Sequence, residues 1–122
     1  MLMQLLAAKK ESKKSKHLHK VGCVIAKGNR ILSKGYNQVR HASTGKRYTN
    51  YPESLHAERD ACRKVPKKLL KGATAYIYRE SNVGNPMLAR SCSYCERLLI
   101  SVGISKIVYT INSPPYYAEY KL

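Results

Sequence analysis

Residues 20–38 alternate apolar and polar side chains on either side of a Gly28–Asn29 pair. Val21, Cys23 and Ile25 occupy every second position before the pair, and a second apolar stretch follows it. Alternation with period two is typical of a strand with one buried face, and a glycine-asparagine pair is typical of a two-residue hairpin turn. The segment therefore predicts an antiparallel β-hairpin, and any fold of this chain must build a sheet around it.

Helical and extended patterns alternate along the rest of the chain. The expected helices cover residues 2–16, 54–65 and 92–102, and the expected further strands cover residues 72–79 and 104–111. Ser54 is the expected N-cap of the second helix. The tail at 116–122 either returns as a short antiparallel edge strand or lies loose. This order predicts one α/β domain over residues 1–122, with three layers: a mixed sheet of about five strands, the hairpin at one side, and helices on both faces.

The chain is strongly basic, with 23 Lys and Arg residues, 7 Asp and Glu residues and a net charge of +16. An imbalance of this size destabilises a compact chain through self-repulsion, and it favours a polyanionic partner. The charges concentrate in an N-terminal lysine run (residues 9–20) and a central lysine run (residues 63–71), with Arg40, Lys46 and Arg47 between them. Either run alone is typical of a solvated surface. The excess over the whole chain favours nucleic acid or nucleotide phosphates.

The sequence also favours a cellular compartment for the protein. No apolar stretch approaches the length of a membrane span, and the N-terminal charges follow the first apolar residues, whereas in a signal peptide they precede them. We therefore expect a cytoplasmic protein without a membrane partner. In that reducing compartment, closely spaced cysteines indicate a metal or catalysis more than a disulfide.

Cys92 and Cys95 are separated by two residues at the start of the third expected helix. With His56 they make one imidazole and two thiolates, a donor set that suits zinc and leaves the fourth tetrahedral position open for water. A helix N-terminus favours thiolate, and a three-residue offset puts both sulfurs on one face. Zn²⁺ is therefore the expected cofactor, with His56, Cys92 and Cys95 as its ligands.

Two other interpretations of the cysteine pair stay open. One is a redox pair, although the pair lacks the preceding strand and Gly-Pro neighbours of a thioredoxin-like site. The other is a structural zinc site completed by Cys23 or Cys62, which stand alone in the sequence and are better interpreted as small apolar core residues. His17 and His19 flank lysines and are expected at the surface.

His56 and Glu58 are two residues apart, and at that spacing helical side chains diverge by about 200°. They can converge on one site only if both lie in the first turn and the metal lies beyond the helix end. Glu58 would then reach a water molecule held by the metal, first as general base and afterwards as general acid.

The residues "HAE" at 56–58, followed by "SCSYC" at 91–95, resemble the zinc signature of the cytidine and deoxycytidylate deaminase superfamily. The stretch "HKVGCVIAKGNRILSKGYNQ" is similar to the first hairpin of many such proteins, and "GISKIVYT" to the strand after their cysteine helix. The likeness follows the family's order over roughly residues 17–111. The whole chain looks most like the short deaminase-domain proteins common in phage and metagenomic sequence.

The resemblance implies a cytidine deaminase-like fold and zinc-dependent hydrolytic deamination of cytosine to uracil, with Glu58 as the catalytic acid–base group. It implies substrate contacts by Asn37, the asparagine of "GYN", and by the backbone near Ala57 and Ser91. Further candidate substrate contacts are His41, Tyr116 and Tyr117.

Two details of the resemblance concern the metal site and the branch of the superfamily to which the chain is similar. The family usually has proline where this chain has Ser91. Serine can still cap the helix, so an intact metal site is expected there. Within the superfamily, an antiparallel final hairpin is typical of the cytidine branch, and a parallel final strand of the deoxycytidylate and tRNA-adenosine branch.

Three hypotheses about the substrate remain. The net charge and several tyrosines favour single-stranded nucleic acid, DNA in particular, because basic grooves with aromatic platforms hold unstacked bases. The second hypothesis is a free-nucleotide enzyme acting on deoxycytidylate or cytidine, for which a single phosphate needs one or two cations. The third is a non-catalytic, zinc-stabilised module that binds nucleic acid, and the presence of Glu58 disfavours it.

Overall fold

The computed structural model describes residues 2–16, 19–39 and 54–122. In these ranges the helices are α1 (Met3–Ser12), α2 (Ala57–Arg63), α3 (Lys67–Leu70) and α4 (Ser93–Ser101). The strands are β1 (Lys20–Lys27), β2 (Arg30–Tyr36), β3 (Gln38–Val39), β4 (Ser54–Leu55), β5 (Thr74–Glu80), β6 (Lys106–Thr110) and β7 (Tyr117–Lys121). Of the described helices, none is both long and apolar enough to span a bilayer.

Five of the strands form one mixed sheet in the order β2-β1-β5-β6-β7. β1 pairs antiparallel with β2 and β5, β5 pairs parallel with β6, and β6 pairs antiparallel with β7. Gly28 has a φ of +57° in the β1–β2 turn, a conformation that glycine adopts without steric cost. The predicted hairpin at one side of a five-stranded mixed sheet is confirmed, and the tail forms the antiparallel edge strand β7.

The two faces of the sheet bury separate apolar clusters, because side chains alternate along each strand. Val24 and Tyr78 pack with Leu5 of α1 on one face. Cys23 and Ile77 face the opposite side, where their cluster includes apolar residues of α2 and α4. The predicted three layers, with helices on both faces of the sheet, are therefore confirmed.

A close backbone approach positions α2 on the sheet. Gly35 of β2 lies directly under the helix, where a Cβ atom would overlap the backbone of Ala57 and Ala61. Any larger residue at position 35 would push α2 outward. Since His56 precedes the first residue of α2, Gly35 also controls where that imidazole lies.

Asp60 joins α2 to β2 through a fully buried carboxylate. It accepts hydrogen bonds from the backbone N–H of Tyr36 at 3.1 Å and from Arg63 Nε at 2.8 Å, and Lys64 Nζ lies 3.2 Å from its Oδ2. Burial on its own would raise the pKa of Asp60, but the donors from Arg63, Tyr36 and Lys64 outweigh burial and hold that pKa below its ordinary value. The helix is thus held on the strand by charge as well as by packing.

Two helix boundaries differ from the predictions. α1 ends at Ser12, four residues earlier than predicted. Ser54 and Leu55 form β4, in which Leu55 pairs with Gln38, and α2 begins later with His56 as its N-cap residue. The prediction of Ser54 as N-cap is wrong, because burial and pairing of Leu55 outweigh the capping preference of the serine.

Candidate metal centre and active site

α2 and α4 both begin beside the carboxyl end of β5. His56 is the N-cap residue of α2, and Cys92 is the N-cap residue of α4. Cys95 lies in the first turn of α4, and its backbone N–H donates to Cys92 Sγ at 3.4 Å. The structure therefore brings an imidazole from one helix start to a sulfur pair at the other.

The three side chains have the spacing of a metal site. His56 Nδ1 lies 3.1 Å from Cys95 Sγ and 3.8 Å from Cys92 Sγ, and the three donor atoms all lie within 4.8 Å of one another. Zinc bonds of ordinary length in a tetrahedron separate nitrogen from sulfur by about 3.6 Å, between the two observed distances. The predicted ligand set fits Zn²⁺, and Cys23 and Cys62 do not belong to the metal-binding group found among the described residues.

The surroundings of Cys95 favour its protonated form when no cation is bound. Burial raises the pKa of the Cys95 thiol well above its usual range, and the negative charges of Glu58 and Cys92 raise it further. A divalent cation reverses this effect, because it stabilises the thiolate that coordinates it. Cys23 and Cys62 are buried free thiols in the core, as predicted.

Glu58 lies in the first turn of α2 and is only 5% exposed. Its Oε2 accepts a buried hydrogen bond of 2.9 Å from Ser91 Oγ. The prediction that Ser91 caps α4 is therefore wrong: Cys92 is the N-cap, and the serine hydroxyl reaches across to α2. The reason is that the Cys92 sulfur already accepts from the first turn of α4.

A cavity of about 370 Å³ opens at this end of the sheet. Its lining comes from the ends of β1, β2 and β5 and from the starts of α2 and α4. The lining residues are His19, Val21, Asn37, His56, Ala57, Glu58, Ile77, Arg79, Ala89, Arg90 and Cys92. Its volume lies within the range of small-molecule sites in proteins, and it admits one nucleotide-sized ligand.

Residues 1–111 match the family model described as the cytidine and deoxycytidylate deaminase zinc-binding region. The chain belongs to the cytidine and deoxycytidylate deaminase family. The family predicted from the "HAE" and "SCSYC" residues is confirmed, and with it a zinc-binding region in which His56, Cys92 and Cys95 are positioned as ligands.

Three relatives show how far this deaminase likeness extends. An uncharacterized deaminase in the luxG 3′ region of Aliivibrio fischeri is 34% identical in an alignment of 92 residues, and the match covers 71% of this chain. The chain spans about half of that relative, 55% of its length. Cytidine deaminase from Burkholderia pseudomallei superposes with a TM-score of 0.68 at 20% identity, over 99% of this chain and 93% of that one. dCMP deaminase from cyanophage S-TIM5, solved with dCMP and dUMP, superposes with a TM-score of 0.59 at 22% identity, over 84% and 74% of the two chains.

The structure brings some of the predicted substrate contacts to the deaminase cavity. Ala57 and Asn37 line it. The Asn37 side chain is bonded to the backbone, since its Oδ1 accepts from Val21 N at 2.9 Å and its Nδ2 donates to the carbonyl of His19. Its amide therefore orders the cavity wall, and its contact with substrate stays a prediction.

Other predicted contacts lie elsewhere. Tyr116 is 41% exposed in the turn before β7, and Tyr117 packs against the apolar cluster on the α1 face. Neither belongs to the cavity lining found in the described part of the chain. His41 lies outside the described residues. Tyr117 belongs to β7, the edge strand beyond β6.

The sequence did not point to three further lining residues: His19, Arg79 and Arg90. His19 is exposed, as predicted, but it also faces the cavity. Arg79 follows the buried Ile77 by two positions on β5, so the alternation of the strand carried a signal for it. Arg90 offered no such signal, because it lies in the irregular segment before α4.

The two lysine runs lie at opposite ends of the sheet. In the N-terminal lysine run, Lys13 Nζ lies 3.4 Å from Glu80 Oε1, and Lys20 pairs with Glu80 at the cavity end of β5. The central lysine run includes α3 and adjoins the start of β5 at Thr74. The seven-residue strand between them spans about 20 Å, so only the N-terminal lysine run is near the cavity.

Proposed function

We propose that this chain, as one catalytic domain over residues 1–122, hydrolyses the exocyclic amine of cytosine to give uracil and ammonia. One observation carries the proposal: His56, Cys92 and Cys95 have their donor atoms within 4.8 Å, and the buried Glu58 carboxylate shares their cavity. A purely structural metal site does not need a carboxylate beside its open position. The geometry therefore favours catalysis over a non-catalytic binding module.

The chain's own residues supply the proton transfers. Zn²⁺ held by His56, Cys92 and Cys95 would supply a water molecule that ionises near neutral pH. Ser91 orients the Glu58 carboxylate through Oε2, and the carboxylate takes a proton from water and delivers it to the ring nitrogen next to C4 while the water oxygen bonds to C4. A second proton reaches the exocyclic nitrogen by the same route. The C4–N bond then breaks, C4 keeps the water oxygen, and ammonia leaves.

Cytosine is favoured over adenine as the reacting base. β7 pairs antiparallel with β6, and within the superfamily this final hairpin is typical of the cytidine branch. The four free thiols agree with the reducing cytoplasm that the sequence predicts, and we propose that location for the enzyme.

We propose single-stranded nucleic acid, DNA in particular, as the substrate. A net charge of +16 far exceeds what one phosphate needs, and the N-terminal lysine run lies at the cavity end of the sheet. The second candidate is a free nucleotide, deoxycytidylate or cytidine. The position of the central lysine run favours it, because those charges are too distant to guide a strand into the cavity.

The direct test is the conversion of cytosine to uracil, with release of ammonia, in three substrates incubated with the zinc-loaded chain: deoxycytidine, dCMP and a single-stranded oligonucleotide with one cytosine. Glu58→Gln is the inactive control. Activity on the oligonucleotide that falls steeply with salt supports the polynucleotide substrate, whereas activity confined to monomers excludes it. No uracil from any of the three would overturn the deaminase proposal.

A further inference from the structure

We propose that Arg79 and Arg90 form a phosphate subsite in the cavity, so that the enzyme recognises the reacting cytosine as a nucleotide and discriminates against the nucleoside. This inference rests on the proposed deaminase function and specifies its substrate class. The shared chemistry is a phosphate attached to the reacting nucleotide, whether it is the terminal group of a monomer or a diester in a strand.

The fold directs Arg79 toward the cavity. Along β5, Ile77 packs on the face that carries α2 and α4, and Arg79 follows at the next position on that face. Arg79 is half-buried, and its Nη2 donates to His19 Nδ1 at 3.0 Å. Because a guanidinium has donors only, His19 acts as the acceptor and orients the arginine fork without neutralising its charge.

Arg90 also lines the cavity, and an aromatic ring orients it. Its guanidinium lies over the ring of Tyr120, 4.7 Å from the ring centroid. The Tyr120 hydroxyl in turn donates to Glu96 Oε2 at 3.2 Å. Arg90 also hydrogen-bonds to the Tyr120 side chain. Stacking and this bond hold the guanidinium plane in place, and a guanidinium has five N–H donors, so others remain to bind a ligand.

Neither arginine forms an ion pair with a carboxylate in the part of the chain that the structure describes. Asp60 pairs instead with Arg63 and Lys64, and Glu80 pairs with Lys13. Two unpaired guanidinium groups lining one cavity favour a ligand with two negative charges. A phosphate monoester meets this requirement, and its oxygens match the donor geometry of the guanidinium fork.

The proposed subsite lies in the same cavity as the proposed reacting groups. Arg79 and Arg90 line this cavity together with His56 and Glu58, so a phosphate bound there would belong to the reacting nucleotide itself. The lysines outside the cavity serve different phosphates, those of neighbouring nucleotides in a strand. Substitution of the two arginines and substitution of the lysines should therefore change substrate recognition in different ways.

The test compares kcat/KM for dCMP, deoxycytidine and the oligonucleotide in the zinc-loaded full chain and in the Arg79→Gln and Arg90→Gln variants. Each substitution is expected to lower the ratio of kcat/KM for dCMP to that for deoxycytidine by roughly 10- to 100-fold. Arg30→Gln, an exposed arginine in the β1–β2 hairpin at the other end of the sheet, is the matched control and should leave the ratio unchanged. A ratio unaltered by both cavity substitutions overturns the proposal.

The oligonucleotide arm distinguishes the two sources of phosphate. Losses confined to dCMP support a subsite for a terminal phosphate, and parallel losses on the oligonucleotide support one that also accepts a diester. Both patterns support the subsite, and they differ only in its natural ligand.

A binding measurement separates failure of this inference from failure of the proposed function. Calorimetry on the Glu58→Gln variant should show dCMP bound at least roughly tenfold more tightly than deoxycytidine, and adding Arg79→Gln should remove that preference. If the wild-type chain deaminates none of the three substrates but this preference is present and depends on Arg79, the deaminase function fails and the subsite stands. Equal affinity for dCMP and deoxycytidine would exclude the phosphate subsite, whether or not the chain is an active deaminase.

Discussion

Ser91 Oγ lies 2.9 Å from Glu58 Oε2 and donates a buried hydrogen bond to it. The bond connects the segment before α4 to the first turn of α2, next to the ligands His56 and Cys92. The proline usual at this position in the family has no side-chain donor and cannot make the bond. In this chain, the serine hydroxyl therefore fixes the orientation of the Glu58 carboxylate, which we propose as the acid–base group.

Ser91→Ala is expected to lower kcat roughly tenfold or more with a smaller change in KM, because it removes a hydrogen bond to a charged group. Ser91→Pro, which restores the usual family residue, should lose the same contact and behave alike. Steady-state kinetics with zinc content measured in parallel checks this. Ser101→Ala at the exposed end of α4 is the control, and an unchanged kcat in Ser91→Ala would show that the hydroxyl does not position Glu58.

Glu58→Gln is expected to lower kcat by about 10²- to 10⁴-fold, since the amide cannot carry the transferred proton. The substitution preserves the shape of the side chain and an acceptor for Ser91, so zinc content and thermal midpoint should stay close to those of the wild type. Activity of the variant within a few-fold of wild type would remove Glu58 from the mechanism.

Cys95→Ser is expected to abolish tight zinc binding and lower the thermal midpoint, since it removes one of three protein ligands from a fully buried position. Metal analysis should give about one zinc ion per wild-type chain and close to none in the variant. Cys62→Ala is the matched control, because Cys62 is a buried cysteine outside the metal group. Zinc retained by Cys95→Ser at full occupancy contradicts the ligand assignment.

Asp60 should make stability depend on pH in the acid range. Its folded-state pKa lies below the ordinary 3.8, so the unfolded chain binds the proton more readily than the folded chain. Its stabilisation is therefore complete above about pH 5 and is lost as the pH falls through 3.8 toward the folded pKa. Asp60→Asn should lower the free energy of unfolding near neutral pH by about 2–4 kcal/mol, and its deficit should shrink toward about pH 3.

Urea unfolding of both chains across that pH range measures this difference. Glu119→Gln is the control, since Glu119 is half-exposed and its pair with Lys106 should contribute well under about 1 kcal/mol. A deficit of Asp60→Asn that stays constant from neutral to acid pH would contradict the assigned direction of the pKa.

The positions of the two lysine runs predict different effects on a polynucleotide substrate. Replacing Lys13, Lys16 and Lys20 with glutamine should reduce the slope of log(kcat/KM) against log[salt] for the oligonucleotide by about 2, since each phosphate contact on a single strand adds about 0.7. The same change at Lys67, Lys68 and Lys71, about 20 Å away along β5, should leave the slope unaltered. Equal effects of the two triple variants on the slope would mean that the net charge of the protein governs oligonucleotide binding, whatever the position of the lysines.

The main elements and the candidate metal ligands could be predicted from the sequence, because both depend on short-range patterns. The period-two alternation in residues 20–38 was sufficient for the hairpin, and the apolar patterns after it predicted α2, β5, α4 and β6 but not the short α3, β3 and β4. The candidate ligands follow from residue types at fixed spacing, since two sulfurs three residues apart at a helix start share one face whatever surrounds them. The catalytic role of Glu58 stays a prediction.

The residues that surround those groups could not be predicted, because they depend on contacts in the folded chain. Leu55 entered a strand and moved the start of α2 past Ser54, Ser91 bonded to Glu58 instead of capping α4, and β5 directed Arg79 into the cavity while it separated the two lysine runs. Each outcome depends on contacts between segments distant in sequence, whose relative position is set by strand register and layer packing. A local pattern specifies the face of an element but carries no information about what will lie opposite that face, which is why the metal centre could be predicted and its surroundings could not.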